Sequence, residues 1–193
     1  MRDEAHEDES MHWVHKGMEL KARGELAEAL ECFDRALEID PRNLNAWNNK
    51  GSLLGELATM NAAEEPGQSQ RLGEALECFD RALEIDPTDG ELWSNKAKAL
   101  LLAGRRDEAL DCYDRSTDLC PGSALLWLNK GLAMEGLEYY ADAMHCYDKV
   151  VELDPKNKQA WVRKYWIHRR WDELWDMAEC IEHIKAIERE EEG

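Results

Sequence analysis

Residues 30–41 read LECFDRALEIDP, and the same letters recur without change at residues 76–87. Weaker copies of this stretch end at Pro121 and Pro155, so the last three prolines of the series are spaced 34 residues apart. The first two copies lie 46 residues apart, which is one period of 34 with an insertion of 12 residues. A fixed period of this length is typical of proteins built from stacked copies of one supersecondary unit.

Two further series of residues follow the same period. The tryptophans Trp13, Trp47, Trp93 and Trp127 are followed four residues later by Gly17, Gly51, Ala97 and Gly131. Likewise Ala29, Ala75, Ala109 and Ala143 are followed four residues later by Phe33, Phe79, Tyr113 and Tyr147. A small residue in each of two helices lets the backbones approach, while the aromatic residues fill the space around the contact. Because a proline disfavours the helical conformation of the residue before it, each period is predicted to end its second helix at its proline.

These residues resemble the tetratricopeptide repeat family over residues 10–157. The resemblance implies an all-α fold, a right-handed α-solenoid of antiparallel helix pairs, in which stacking buries apolar faces that one pair alone would expose. We expect four repeats over 10–157 with an insertion near 58–73, where Pro66-Gly67 predicts a break and the polar composition favours a mobile, solvated segment over a functional loop. The flanking segments are predicted to be an acidic flexible N-terminus at 1–9, a degenerate fifth repeat or capping helices at 158–187, and an acidic tail at 188–193.

The composition limits the classes of function. A formal net charge of −18 argues against a general nucleic-acid binder, because affinity for phosphates comes from Lys and Arg. The sequence has no run of uncharged apolar residues long enough to cross a membrane and no secretion signal, so we expect a cytoplasmic protein with no membrane partner. The six cysteines are then expected to be reduced thiols.

No set of residues predicts an enzyme. Five cysteines occupy one repeat position and therefore form a ladder, not a tetrahedral metal cluster: Cys32, Cys78, Cys112, Cys146 and Cys180. The histidines follow no repeated spacing and no metal-ligand motif. We therefore expect no catalytic residue, no metal site and no cofactor.

The resemblance implies that the first helix of each pair lines a concave groove. It places Asn49, Asn95 and Asn129 at one groove position of three successive repeats. A side-chain amide both donates and accepts, so these residues are candidates to bind the backbone of an extended peptide. The alternative is that the asparagines bond to a neighbouring helix and fix the stacking of the repeats. Further candidate groove residues are Asn45, Asn48, Lys98, Leu125 and Leu128.

The stretch 156–171 contains six Lys or Arg and no acidic residue, in a strongly acidic chain. Arg163, Arg169 and Arg170 are predicted to line the end of the groove and to favour a partner with acidic residues. The alternative is that this basic face attracts the protein's own acidic surface.

A lysine also recurs at one position of every first helix, and an aspartate recurs in the second helices. The lysines are Lys16, Lys50, Lys96, Lys130 and Lys164, and the aspartates are Asp34, Asp80, Asp114 and Asp148. We predict that the two series pair and that the lysine stems cover the core. The predicted function is a protein–protein interaction scaffold that binds a peptide, as a monomer or weak homo-oligomer; a self-associating assembly module is the alternative.

Overall fold

The computed structural model describes residues 2–60 and 65–191, and in these residues it has ten α-helices and no β-strand. The helices are α1 (Arg2–Arg23), α2 (Leu26–Ile39), α3 (Leu44–Met60), α4 (Glu65–Ile85), α5 (Gly90–Leu102), α6 (Arg106–Leu119), α7 (Ala124–Gly136), α8 (Tyr140–Leu153), α9 (Lys158–Trp171) and α10 (Leu174–Glu191). The chain divides into two compact units, Met1–Ser116 and Thr117–Gly193. The all-α fold class that the resemblance implies is confirmed.

Consecutive helices pack as pairs, α1 with α2 and α3 with α4 in the first unit, α7 with α8 and α9 with α10 in the second. The aromatic residues predicted to fill each pair are all buried, with at most 2% of their surface exposed: Phe33, Phe79, Tyr113 and Tyr147. The small residues opposite them are required by close approach. A Cβ atom on Gly17 would lie 2.6 Å from the Phe33 ring, and one on Gly131 would lie 2.7 Å from the Tyr147 ring.

A hydrogen bond between a tryptophan and a proline carbonyl joins successive repeats. The indole Nε1 of Trp47 donates to the carbonyl of Pro41, six residues earlier, at 2.9 Å. The same bond, at the same length, recurs from Trp93 to Pro87, from Trp127 to Pro121 and from Trp161 to Pro155. The proline ends the second helix of one repeat, and the tryptophan belongs to the first helix of the next. The bond therefore holds the turn between two repeats against the start of the following helix.

The inserted residues lengthen two helices. Helices α3 and α4 contain 17 and 21 residues, whereas α5 and α6 contain 13 and 14. Pro66 lies in the first turn of α4, where its missing N–H has no helical acceptor to lose. The segment expected to be mobile and solvated is instead helical over 65–73. It also buries an apolar side chain, since only 4% of the surface of Leu72 is exposed. Residues 61–64 of the expected insertion lie outside the described residues.

Both ends of the chain are helical further than expected. Helix α1 begins at Arg2, inside the 1–9 stretch predicted to be flexible, and α10 continues to Glu191, inside the predicted tail. In the fifth pair, Trp161, Cys180 and Ile187 form a small core, and the ring of His183 stacks on Trp161 at 4.0 Å between centroids.

Candidate peptide-binding surfaces

A pocket of about 250 Å³ opens between the first helices of two successive pairs in the first unit. Its walls come from α3, α5 and one aromatic residue of α4: Gly51, Ser52, Gly55, Glu56, Thr59, Phe79, Asn95, Lys98, Ala99 and Leu102. A Cβ atom on Gly55 would meet nothing within 4 Å, so the absent side chain leaves open space on the pocket wall. The pocket thus combines an apolar base with a few polar groups, which is typical of sites that bind small ligands or peptide side chains.

One of the predicted asparagines, Asn95, lines this pocket, and it bonds to a second, Asn48. The side-chain nitrogen of Asn95 donates to the side-chain oxygen of Asn48 at 3.0 Å, which links α5 to α3. This bond uses one N–H of Asn95 and one lone pair of Asn48. A carboxamide has two N–H groups and two lone pairs, so each residue retains hydrogen-bonding capacity for a ligand. The two interpretations of the asparagine series, stacking and peptide binding, are therefore compatible at this pair.

The other two asparagines of α3 are turned elsewhere. Asn49 donates to the backbone carbonyl of Asn45, one turn earlier in the same helix, at 2.8 Å. Asn45 in turn points its amide nitrogen at the sulfur of Met11 on α1, at 3.8 Å. The structure therefore does not bring Asn45 or Asn49 into the pocket.

The charges at the pocket differ in how they are balanced. Glu56 accepts a hydrogen bond from Lys21 of α1 at 2.7 Å, so its carboxylate already has a cationic partner. Lys98 projects from α5, and its partial burial lowers its pKa, while the carboxylate of Glu91 acts in the opposite direction. Lys98 is therefore the group of this pocket best placed to meet a ligand carboxylate.

In the second unit, the predicted groove residues divide between core and surface. Leu125 is 56% exposed, whereas Leu128 is only 8% exposed and belongs to the core. Leu128, predicted to line the groove, is therefore largely buried, as its repeat position also is at Val14 and Ser94. Asn129 lies on α7 and is partly buried.

Most of the basic residues of 156–171 are paired with the protein's own carboxylates. Lys156 meets Glu190 at 2.5 Å, and Lys158 meets Glu188 at 2.9 Å and Glu191 at 3.6 Å. Lys164 meets Asp148 at 2.5 Å, and Arg163 meets Glu135 at 3.3 Å. Arg169 and Arg170 instead lie over the rings of Trp166 and Tyr140. The self-pairing alternative therefore holds for Lys156, Lys158 and Arg163 but not for the last two arginines.

Three sequence models of one repeat family match the chain. A model described as TPR repeat matches residues 17–57, and models described as tetratricopeptide repeat match residues 68–127 and 124–157. The chain belongs to the tetratricopeptide repeat family. An uncharacterised protein of Methanocaldococcus jannaschii is 41% identical over 54 residues, which are 28% of this chain and 63% of that protein. The match thus spans less than two thirds of that relative's length.

Solved tetratricopeptide repeat structures share the fold at low identity. PilF of Pseudomonas aeruginosa has a TM-score of 0.78 at 17% identity, covering 94% of this chain and 78% of that one. MamA of Desulfovibrio magneticus has a TM-score of 0.68 at 22% identity, covering 96% of each chain. YrrB, described as a TPR protein with an unusual peptide-binding site, has a TM-score of 0.60 at 19% identity, covering 91% of this chain and 84% of that one. At these identities the likeness establishes the fold alone.

The predicted pairing of lysines with aspartates is present between successive tetratricopeptide repeats. Lys50 meets Asp34 at 2.5 Å and Lys96 meets Asp80 at 2.6 Å, each reaching back to the preceding second helix. Burial opposes the charge of Lys50, but the hydrogen bond to Asp34 and the attraction of the surrounding negative groups together outweigh it and raise the pKa of Lys50. Each of the five lysines also lies within 6.0 Å of the tryptophan ring three residues before it. The sequence predicted the ion pairs but gave no signal for the contacts with the rings.

The repeat cysteines are packing residues. All five members of the ladder are buried, and none of the six cysteines forms a disulfide.

Among the described residues, one trio brings potential metal ligands within 4.8 Å of one another: His168, Glu173 and Asp176. Both carboxylates are exposed, and His168 already bonds to Glu173 at 2.7 Å. In the described part of this tetratricopeptide repeat chain, no helix has the length and apolar character needed to cross a membrane.

Proposed function

We propose that the chain is an interaction scaffold that binds an extended peptide segment of another protein in the pocket between α3 and α5. The observation that carries this proposal is the opening at Gly55, beside Asn95 and Lys98. An apolar side chain of the peptide would enter the open space, a backbone amide would bond to the carboxamides, and a carboxylate would meet Lys98. The structural likeness to YrrB, a TPR protein with an unusual peptide-binding site, adds support by analogy.

The proposal includes a binding role without catalysis and a cytoplasmic location. The first is supported by the hydrogen bonds that two polar side chains of the pocket already make: Thr59 donates to the backbone carbonyl of Glu56 at 2.7 Å, and the carboxylate of Glu56 accepts from Lys21 at 2.7 Å. The second is supported by the six cysteines, which form no disulfide and of which five are buried.

The test fills the pocket without disturbing the fold. Peptides are selected from a random library displayed on phage with the unmodified protein, and the affinity of one selected peptide is measured by fluorescence anisotropy. Gly55→Trp should lower the affinity for this peptide by about tenfold or more, because the indole occupies the space that the apolar side chain of the peptide needs. Gly55→Ala, which adds one methyl group at the same position, is the matched control and should retain binding. Equal affinity for both variants, or failure to select any peptide, would refute the proposal.

The carboxamides give a second readout on the same peptide. Asn95→Ala should lower the affinity for the peptide by about two- to tenfold, as expected for loss of one hydrogen bond. Asn49→Ala should change the affinity little, since Asn49 bonds to its own helix. The opposite order of the two effects would contradict the assignment of Asn95 to the site.

Self-association is a second candidate because a surface of the first repeat lies open. A cavity of about 560 Å³ is lined by Trp13, Lys16 and Leu20 of α1 together with residues of α2. Leu20 is partly exposed, whereas its counterpart Leu54 is only 4% exposed. A second copy covering this surface would give a mass that rises with concentration in light scattering, and Lys16→Glu would abolish the rise. A single monomer mass at every concentration would exclude this candidate.

A further inference from the structure

The turn between α9 and α10 exposes an unusual amount of aromatic and apolar surface. Trp166 is 50% exposed, Trp171 42%, Leu174 68% and Trp175 90%. Burying such side chains is favourable, and Trp, Tyr and Arg are enriched among residues that dominate the energy of protein interfaces. A cluster of exposed tryptophans within one short segment therefore points to an interaction surface.

Two arginines complete this surface in a defined geometry. The guanidinium of Arg169 lies 5.0 Å from the centroid of the Trp166 ring, and that of Arg170 lies 4.5 Å from the centroid of the Tyr140 ring. These four side chains, with Glu135 and Ile167, line a cavity of about 430 Å³. A guanidinium that stacks on an aromatic face keeps its N–H edge available, and this planar edge matches the two oxygens of a carboxylate. We call Tyr140, Trp166, Arg169 and Arg170 the arginine pocket.

The carboxylate already present in the cavity does not neutralise these arginines. Glu135 accepts a hydrogen bond from the hydroxyl of Tyr147 at 2.6 Å and another from Arg163 at 3.3 Å. Within residues 117–191, no carboxylate lies within ion-pair distance of Arg169 or Arg170. The other basic residues of the segment are paired, so the positive charge that remains for a ligand is concentrated at this pocket.

We infer that the arginine pocket binds carboxylates of an acidic protein segment whose neighbouring apolar side chain packs on the exposed tryptophans. The chemistry is an Arg–carboxylate contact beside an aromatic platform, which favours Asp or Glu next to a large apolar residue. An anionic lipid surface is disfavoured, because it would bring negative charge against Asp172, Glu173 and Asp176 beside Trp175, whereas a peptide can place its carboxylates at the two arginines and only its apolar side chain at Trp175. This surface belongs to residues 117–193 and is independent of the pocket at Gly55.

The test uses two synthetic fluorescent peptides of equal length. One carries Asp and Glu on both sides of a Leu-Trp anchor, and the other carries Asn and Gln at the same positions. The acidic peptide should bind the full chain at least about tenfold more tightly, and its affinity should fall as the ionic strength rises. The double substitution Arg169→Gln and Arg170→Gln should remove this preference, while circular dichroism and the melting temperature remain unchanged, because both side chains are exposed.

The matched control removes the same charge elsewhere. Arg35 and Arg81 are exposed arginines that pair with Glu38 and Glu84 of their own helices, at 2.6 Å and 3.0 Å. Their double substitution by Gln should leave the preference for the acidic peptide intact, and so should Gly55→Trp. Equal binding of the two peptides, or equal loss in the control variant, would overturn the inference. So would binding to phosphatidylserine vesicles, with a blue shift of tryptophan emission, in place of a preference for the acidic peptide.

Discussion

Two glycines one turn apart in α3 should respond to alanine with opposite changes in stability. A Cβ atom on Gly51 would lie 3.0 Å from the Phe79 ring and 3.1 Å from Cβ of Cys78, whereas one on Gly55 would meet nothing within 4 Å. Alanine in place of glycine in a helix interior stabilises by about 0.5–1 kcal/mol, and this gain applies to both positions. The difference between the two variants therefore measures the packing of the first helix against the second.

The size of that difference follows from the neighbours of Gly51. Overpacking a close-packed core costs about 1–3 kcal/mol. Because Cβ of Cys78 moves only with the backbone of α4, a change of rotamer cannot relieve the whole clash. Ala97 occupies the equivalent position of the third repeat and is fully buried, so the fold accommodates the methyl group when its surroundings are adjusted. We therefore expect Gly51→Ala to destabilise by about 0–2 kcal/mol and Gly55→Ala to stabilise by about 0.5–1 kcal/mol.

Urea and thermal unfolding followed by circular dichroism measure both variants. For a protein of this size, each kcal/mol corresponds to a shift of about 2–4 °C in the melting temperature. The two variants should therefore lie on opposite sides of the unmodified protein, or at least differ by about 1 kcal/mol or more. If both raise the stability equally, the close approach at Gly51 does not restrict the helix pair and the packing argument fails.

Three further predictions concern other positions. Cys120→Asp should raise the free energy of unfolding by about 0.5–1.5 kcal/mol. In three other repeats an aspartate at this position accepts a hydrogen bond from the backbone N–H two residues later, which here is the N–H of Gly122. A urea titration that shows no gain over Cys120→Ala would contradict this prediction. Burial raises the pKa of Cys78 to about 11, so under native conditions a thiol reagent should modify Cys78 much more slowly than the partly exposed Cys120, as mass spectrometry of the labelled protein would establish. A double-mutant cycle with Lys96→Met and Asp80→Asn, measured on the free energy of unfolding, should give a coupling free energy of about 0.2–1 kcal/mol that decreases with added salt. Zero coupling at low salt would show that this ion pair does not stabilise the stacking of repeats.

The sequence predicted the parts of the molecule that repeat. The buried aromatic residues, the small residues opposite them and the Lys–Asp pairs follow from one period, because every copy solves the same packing problem. The insertion was harder to interpret, since Pro66 is compatible both with a break and with the first turn of a helix. Leu72 was the available signal, because an apolar residue one turn before Leu76 extends the buried face of α4.

The candidate site was predictable only in part, because the orientation of each polar side chain depends on its individual neighbours. Asn49 and Asn95 share a repeat position, yet one bonds to its own helix and the other to Asn48. In the same way, Arg163 and Arg169 both belong to the basic stretch, but of these two only Arg163 has a carboxylate within ion-pair distance among residues 117–191. No periodic pattern distinguishes the members of either pair.

Most of the proposed binding residues occupy repeat positions other than those of the repeated tryptophan and lysine, and this separation has a physical reason. The tryptophan and lysine of each first helix are engaged in the Trp–Pro bond, the cation–π contact or the ion pair to the preceding repeat. Changing them alters stacking, so they carry little specificity. The pocket at Gly55 and the arginine pocket instead include the ninth and twelfth residues of first helices, which differ in every repeat. The ninth are Met18, Ser52, Lys98, Leu132 and Trp166, and the twelfth are Lys21, Gly55, Leu101, Glu135 and Arg169. Partner choice can therefore vary at these two positions while the stacking interactions remain unchanged.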